Sequence, residues 1–417
     1  AYSMIFLPAL MAVLPLKARK PGKRAPMGRL GSFLVINRRR LLWGISAGAV
    51  LIAGFLPLNV LEDRFIEYLD ESIPMRVDTD FAVEHLTGAY VMEFSVPAGA
   101  PGAVSEPEYL DRLENFANWL RAQPEIDHVT SFTDVMKRLN KSMHGDNQAW
   151  YHLPERRDLA AQYLLLYEMS LPYGLDLNTQ INVDKSATRL TVILENIPST
   201  RMRDVKTRAE IWLRDNALPE MGSEGTGPAI MFAYISQRNI QTMFVGTGVA
   251  FLLISAILVL TLHSVRLGLI SLIPNILPAL ITFGLWGLFV GHVGLAAAAI
   301  MATTMGLVVD DTVHVLSIYN RARREHCFGT HDAIRFCYAH VGKALFVTTT
   351  VLVAGFGILG TSSFGVNSDQ GQLTAIALTV ALALDFLLLP SLLMYLDEER
   401  VCECVTCVAA NLKEQGT

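Results

Sequence analysis

The sequence predicts an α-helical membrane protein interrupted by one folded α+β region. Three observations carry that expectation. Apolar residues make up 52% of the chain and charged ones 18%, a balance that sets it apart from ordinary soluble proteins. Long apolar segments recur along the chain, each close to bilayer length. A polar stretch from Leu61 to Asn239 separates the second segment from the third.

Residues 1–16, AYSMIFLPALMAVLPL, read as the end of a membrane helix that starts in an earlier part of a longer polypeptide. Residues 17–40 form a basic linker with Lys17, Arg19, Lys20, Lys23, Arg24, Arg29 and Arg38 to Arg40. A span is expected over 41–60, its apolar part running from Leu41 to Leu58. Five more are expected within 240–395: Ile240–Leu262, Leu267–Val290, Leu295–Ile318, Gly342–Thr361 and Gln372–Tyr395. At about 1.5 Å of rise per residue, each reaches the roughly 30 Å of hydrocarbon, Leu41–Leu58 only just. Residues 396–417 make a tail.

Basic residues orient the spans. Arg266, Arg321, Arg323, Arg324 and Arg335 fall in the same set of turns as the basic linker, whereas the loops around His292 and Asn367 hold no Lys or Arg. The basic side is expected to be cytoplasmic. All five cysteines then lie inside, where thiols stay reduced, and residues 61–239 lie outside.

That outer region reads as a folded domain. Tyr90, Met92, Phe94 and Val96 alternate with Val91, Glu93 and Ser95, the period of a half-buried strand. Ser105 and Glu108 suggest a capping box ahead of Leu110, Leu113, Ala117 and Leu120, which share a helix face. Ile126–Phe132 reads as a second strand. The pattern recurs with Leu190, Val192 and Leu194, a helix over 200–213, and Ile230–Tyr234 as a closing strand. Two β-α-β units suggest a split ferredoxin-like sandwich. Between them lies a helical insertion whose LAAQYLLLYEM run, Leu159–Met169, suits either buried helix packing or a lipid contact.

The chemistry concentrates in one span. Asp310 and Asp311 stand side by side in an otherwise apolar segment, with His314 one turn on. A carboxylate at mid-membrane costs roughly 2.5–3.5 kcal/mol on insertion scales, so such residues usually mark an ion or proton path. Protons leave two neighbouring carboxylates in coupled steps, and His314 could relay them. Asn275, Thr349 and Asp385 fall at similar depths on other spans and complete a candidate proton relay. The plainer reading of the acids is polar contact between helices, which serine, threonine or asparagine would supply at lower cost. Thr348, Thr349 and Thr350 could equally bond back to their own helix. A helix-packing or gate role is open to Asp385, near Pro390.

Two motifs carry a family resemblance. GLVVDDTVHVLSIYNRARRE, Gly306–Glu325, resembles the fourth-helix motif of the resistance-nodulation-division (RND) superfamily, and SLIPNILPALITFGLWGL, Ser271–Leu288, resembles the helix before it. The resemblance is closest to the lipid-exporting branch, which includes the mycobacterial large membrane proteins (MMPL) and the hopanoid transporters. It implies an RND-type six-helix repeat with a ferredoxin-like extracytoplasmic porter domain over 61–239, in a bacterial inner membrane. It further implies a non-enzymatic, proton-driven exporter of lipid-like substrates, with protons as coupling ion and no cofactor. Implied partners are membrane lipids, a first repeat of the same polypeptide, and a homo-oligomer or periplasmic adaptor. A protein-translocation accessory or a sterol-sensing-type receptor would share the fold.

Other motifs add little. Cys402, Cys404 and Cys407, or His326, Cys327, His331, Cys337 and His340, have the composition of metal ligands without a regular spacing. No phosphate-binding GxxxxGK[ST] loop occurs, and nothing points to nucleic acid.

Overall fold

Among the described residues of the computed structural model, six helices are long and apolar enough to cross a membrane. The structure describes residues 9–10, 13, 26–63, 65–172 and 177–397. The expected helix end at 1–16, most of the basic linker and the Cys402–Cys407 tail lie outside them.

Helix α1, Pro26–Ala53, starts well before the expected Leu41 and carries Arg38–Arg40 on helical backbone. The arginines sit well on the extended helix because Arg is a good helix former, and Pro26 opens it while Gly28 and Gly31 are confined to its first two turns. A short strand β1, Val60–Leu61, follows, then α2, Pro74–His85, and strand β2, Tyr90–Pro97. Helix α3, Pro107–Arg121, leads to β3, Ile126–Thr130, and α4, Phe132–Met143. Next come α5, Arg157–Ser170, β4, Ala187–Leu194, and α6, Ser199–Asn216.

The sheet order is β2-β4-β3, all antiparallel, with Tyr90 opposite Leu194 and Val129 opposite Val192. Beyond the other edge of β2, Glu93 and Thr226 exchange both backbone hydrogen bonds at 2.8 Å. Alternation sends Met92, Phe94, Val96, Leu190 and Val192 to one face, where they are fully buried. Helices α3 and α6 cover them with Leu110, Leu113, Phe116, Met202, Val205 and Ala209.

Three expectations in this region need correction. Ile230–Tyr234 is not a closing strand but the first turns of α7, Pro228–Leu262. Proline at the start presets the helical φ, and a 35-residue helix with no internal proline overrides a five-residue alternation. Ser105 and Glu108 make no capping box: Ser105 sits in a preceding 3₁₀ turn, and Glu106 flanks a helix that Pro107 begins. The capping box stands instead at Ser131 and Asp134, opening α4, so Phe132 is helical and β3 ends at Thr130. The Leu159–Met169 run packs as a buried helix on one face, with Ala160, Tyr163 and Leu164 inside, while Leu165, Leu166 and Met169 face outward.

The bundle continues with α8, Val265–Phe289, the short strand β5, His292–Val293, and α9, Leu295–Glu325. Helices α10, Thr330–His340, α11, Gly342–Leu359, and α12, Gly365–Leu396, complete it. Asn367, expected in a loop, lies in the first turn of α12. Close approach is bought with glycine: a Cβ on Gly284 would stand 2.2 Å from the Ile52 carbonyl, and one on Gly371 would stand 2.2 Å from the Gly360 nitrogen.

The two regions are tied at one level. β1 pairs in parallel with β5, Val60 opposite His292. Beside it the buried Asp63 accepts from Tyr68 Oη at 2.8 Å and from the Ser236 hydroxyl of α7, and its N–H donates to Ser199 Oγ of α6 at 3.2 Å.

Candidate functional site

Asp310 stands at the midpoint of the 31-residue α9. Because neighbouring residues on a helix are 100° apart, Asp310, Asp311 and Thr312 point in three directions. That divergence decides their surroundings.

Asp311 turns toward α11, where Thr349 Oγ1 donates to its Oδ2 at 3.1 Å. Thr348 and Thr350 bond back to carbonyls of their own helix, so of the three threonines only Thr349 reaches across to the acids. Thr312, on the buried face, donates to Asp385 Oδ1 of α12 at 2.9 Å. Asp385 is 1% exposed, and its Oδ2 has no hydrogen-bond partner. From α10 the Tyr338 hydroxyl donates to the Asp385 backbone carbonyl at 2.6 Å. Three helices therefore bring together two carboxylates whose hydrogen-bond donors are hydroxyls, and a fourth braces the backbone at Asp385.

Asp310 faces the other way. Its side chain is 72% exposed, and His314, 63% exposed, lies with Nε2 at 3.6 Å from Asp310 Oδ1. Thr303, Ser317 and Arg321 continue this exposed polar stripe along α9. An acid–imidazole pair facing acyl chains would carry a large desolvation cost, so this face suits a polypeptide or a hydrated crevice better than lipid.

Of the six residues expected in one layer, the structure joins Asp311 with Thr349 and Asp310 with His314, and brings Asp385 to the same core through Thr312. Asn275 is not hydrogen-bonded to the acids. It lines a separate cavity between α7, α8 and α9, and its buried Oδ1 has no partner. Pro274 and Pro278 flank it and lack N–H groups, so the carbonyls of Ile270 and Pro274 lose their helical donors.

Thr312 and Tyr338 were missed by sequence reasoning. Thr312 had a readable signal, a hydroxyl on the apolar Val308–Leu316 face; Tyr338 had none, because its partner lies on another helix. Among the histidines and cysteines with ligand-like composition, His331 meets Arg38 at 2.8 Å and His340 bonds the Phe336 carbonyl at 2.8 Å. Among the described residues no three of His, Cys, Asp and Glu gather as a metal site would require.

Chemically, carboxyl groups cradled by hydroxyls can exchange a proton with little rearrangement. A hydroxyl donates to the charged form and accepts from the neutral one.

Comparison with known proteins bears on this geometry. Residues 178–403 match the model of the MMPL family, more than half of the chain and all of the helices that carry the acids. Membrane protein MJ1562 of Methanocaldococcus jannaschii, whose name specifies no activity, is 25% identical over 181 residues, covering 43% of this chain and 45% of the relative. The match thus spans less than half of that relative's length.

Proposed function

The chain belongs to the MMPL family, whose members are transporters, and it is a multi-pass membrane protein; from that premise we propose that it is one repeat of an RND-type exporter driven by the proton-motive force. The cargo is hydrophobic or amphiphilic and lipid-like. The observation that carries the reading is the pair Asp311–Thr349 and Asp385–Thr312, two acids at mid-bundle held by hydroxyls. A transmembrane potential contributes about 2.3 kcal/mol per charge per 100 mV, enough for protonation to bias one conformation of a two-state bundle.

In this proposal the exposed Asp310–His314 face packs on a second, matching repeat of the same polypeptide. The α+β region acts as an extracytoplasmic porter domain; the order Thr226–β2–β4–β3 with α3 and α6 on one face supports a ferredoxin-like unit. Asp63, bonded to both α6 and α7, would pass bundle motion to that domain.

The test reconstitutes the full-length protein in liposomes with a pH-reporting dye. Asp311→Asn should insert normally yet abolish proton flux and lipid export together; undiminished export would remove the relay. Comparing the lipids of membranes with and without the gene identifies the cargo. Orientation has its own check, in a variant with Cys402, Cys404 and Cys407 replaced by serine. Cys327 should resist an impermeant maleimide added outside sealed cells and react once the membrane is opened. Cys337 should stay unlabelled either way, because burial pushes its thiol up to about 12. Rapid labelling of Cys327 in sealed cells would invert the topology.

A further inference from the structure

The cavity beside Asn275 has a chemistry of its own. It holds about 240 Å³ between α7, α8 and α9, with Ala377 of α12 at its edge. Phe244, Phe251, Ile276, Leu280 and Val308 make its wall apolar. Three polar side chains break that wall: Thr304, whose hydroxyl donates to the Ile300 carbonyl at 2.6 Å, and two that each leave a polar atom without a partner. Asn275 is 5% exposed and Thr247 8%, and neither Asn275 Oδ1 nor Thr247 Oγ1 has a hydrogen-bond partner.

Buried polar atoms are nearly always satisfied, so two orphans in one cavity call for a missing partner. Water alone fits poorly: one water beside these groups would satisfy them, but about 240 Å³ is several times the roughly 30 Å³ share of a water, and apart from Thr304 the remaining side chains of the lining are apolar. An anion is excluded by the acceptor Oδ1 and by the absence of a basic residue in the lining; an ammonium would find no carboxylate there. A neutral hydroxyl meets both needs, since it donates to Asn275 and accepts from Thr247. A hydrocarbon chain fills the remainder. Partly exposed Phe244 and Ile276 leave the cavity open sideways, the direction from which a lipid arrives.

We propose that this cavity is a lateral binding site for a long-chain lipid bearing a neutral hydroxyl, gripped by Asn275 and Thr247. That the occupant is cargo rests on the transport reading above; that it binds here does not.

Gly248 supplies the decisive variant. It lines the cavity, and a Cβ there would meet nothing within 4 Å, so Gly248→Leu fills the space without disturbing the helix packing. Gly246 is equally open but lies outside the lining, and Gly246→Leu serves as control. The full-length protein in lipid nanodiscs is photolabelled with a diazirine analogue of 1-hexadecanol and with its methyl ether, which cannot donate. The alcohol should label peptides spanning 244–251 or 275–280 saturably, at roughly five- to tenfold lower concentration than the ether. Asn275→Val and Thr247→Val should each weaken labelling by a similar factor. Gly248→Leu should abolish it and Gly246→Leu leave it intact. Equal labelling by alcohol and ether, or labelling that survives Gly248→Leu, would overturn the site. Asp311→Asn should still be labelled; if labelling fails in the native chain while export remains dependent on Asp311, the cavity proposal falls and the transporter stands.

Discussion

Charged groups are handled in opposite ways in the two halves of the molecule. In the α+β region they meet one another: Arg121 with Asp134 at 2.6 Å, Lys137 with Glu114 at 2.7 Å, Arg208 with Glu125 at 2.9 Å. These pairs are half-buried, at the edge of a core made of Phe94, Phe116, Leu113 and Val192. In the bundle the acids meet hydroxyls or an imidazole instead, at mid-depth, amid apolar helices. A pair that water still reaches is worth about 1 kcal/mol, and its loss is absorbed by water. Among the described residues the bundle acids have no such cationic partner beside them apart from His314, which is why we propose a role in charge movement for them rather than one in stability.

Substitutions on the two sides separate these cases. The widest gap should come from matched amides. Asp310→Asn should lower proton-coupled export by roughly 10²- to 10⁴-fold, the usual worth of a positioned proton carrier. Asp134→Asn should leave export unchanged and cost the α+β region about 1 kcal/mol by urea unfolding. Equal export in both variants would erase the distinction.

Packing comes next. Phe94→Ala removes a fully buried ring that stands edge-on to Phe116 at 5.3 Å, and should cost about 3–5 kcal/mol in unfolding of the α+β region. The helical signal of the bundle should persist through that transition; a single joint transition would mean that the junction at β1, β5 and Asp63 couples the halves more tightly than their separate cores suggest.

The smallest effect is the most diagnostic. Thr312→Val takes the donor from Asp385 and should destabilise the bundle by about 1–3 kcal/mol in thermal unfolding in detergent. Adding Asp385→Leu should restore that stability, since paired polar groups replaced by apolar ones of similar size are often neutral. Export should not return. Recovery of export in the double variant would assign Asp385 to packing alone.

Much of this was legible in the residues. Alternation at Tyr90–Val96 and Leu190–Leu194 marked two strands because one face of each is buried and the other is not. The spans at Val265–Phe289 and Gly342–Leu359 were read to within a few residues, since apolar runs flanked by polar turns leave little freedom. Ile230–Tyr234 was misread because five residues cannot distinguish a period of two from one of 3.6, and the capping box was misassigned because Pro107 outranks Ser105 as a helix start.

The amino-acid order by itself determined that acids lie at mid-span, which helices span, and how the chain alternates between them, because desolvation costs and hydrophobic periods act locally along the backbone. Only tertiary structure decided which hydroxyl each acid would meet, that Asp310 would look outward while Asp311 looks inward, and that Asn275 would leave the relay for a cavity of its own. Those outcomes depend on how helices rotate and pack against one another, and a one-dimensional pattern carries the depth of a residue but not the partner across the interface.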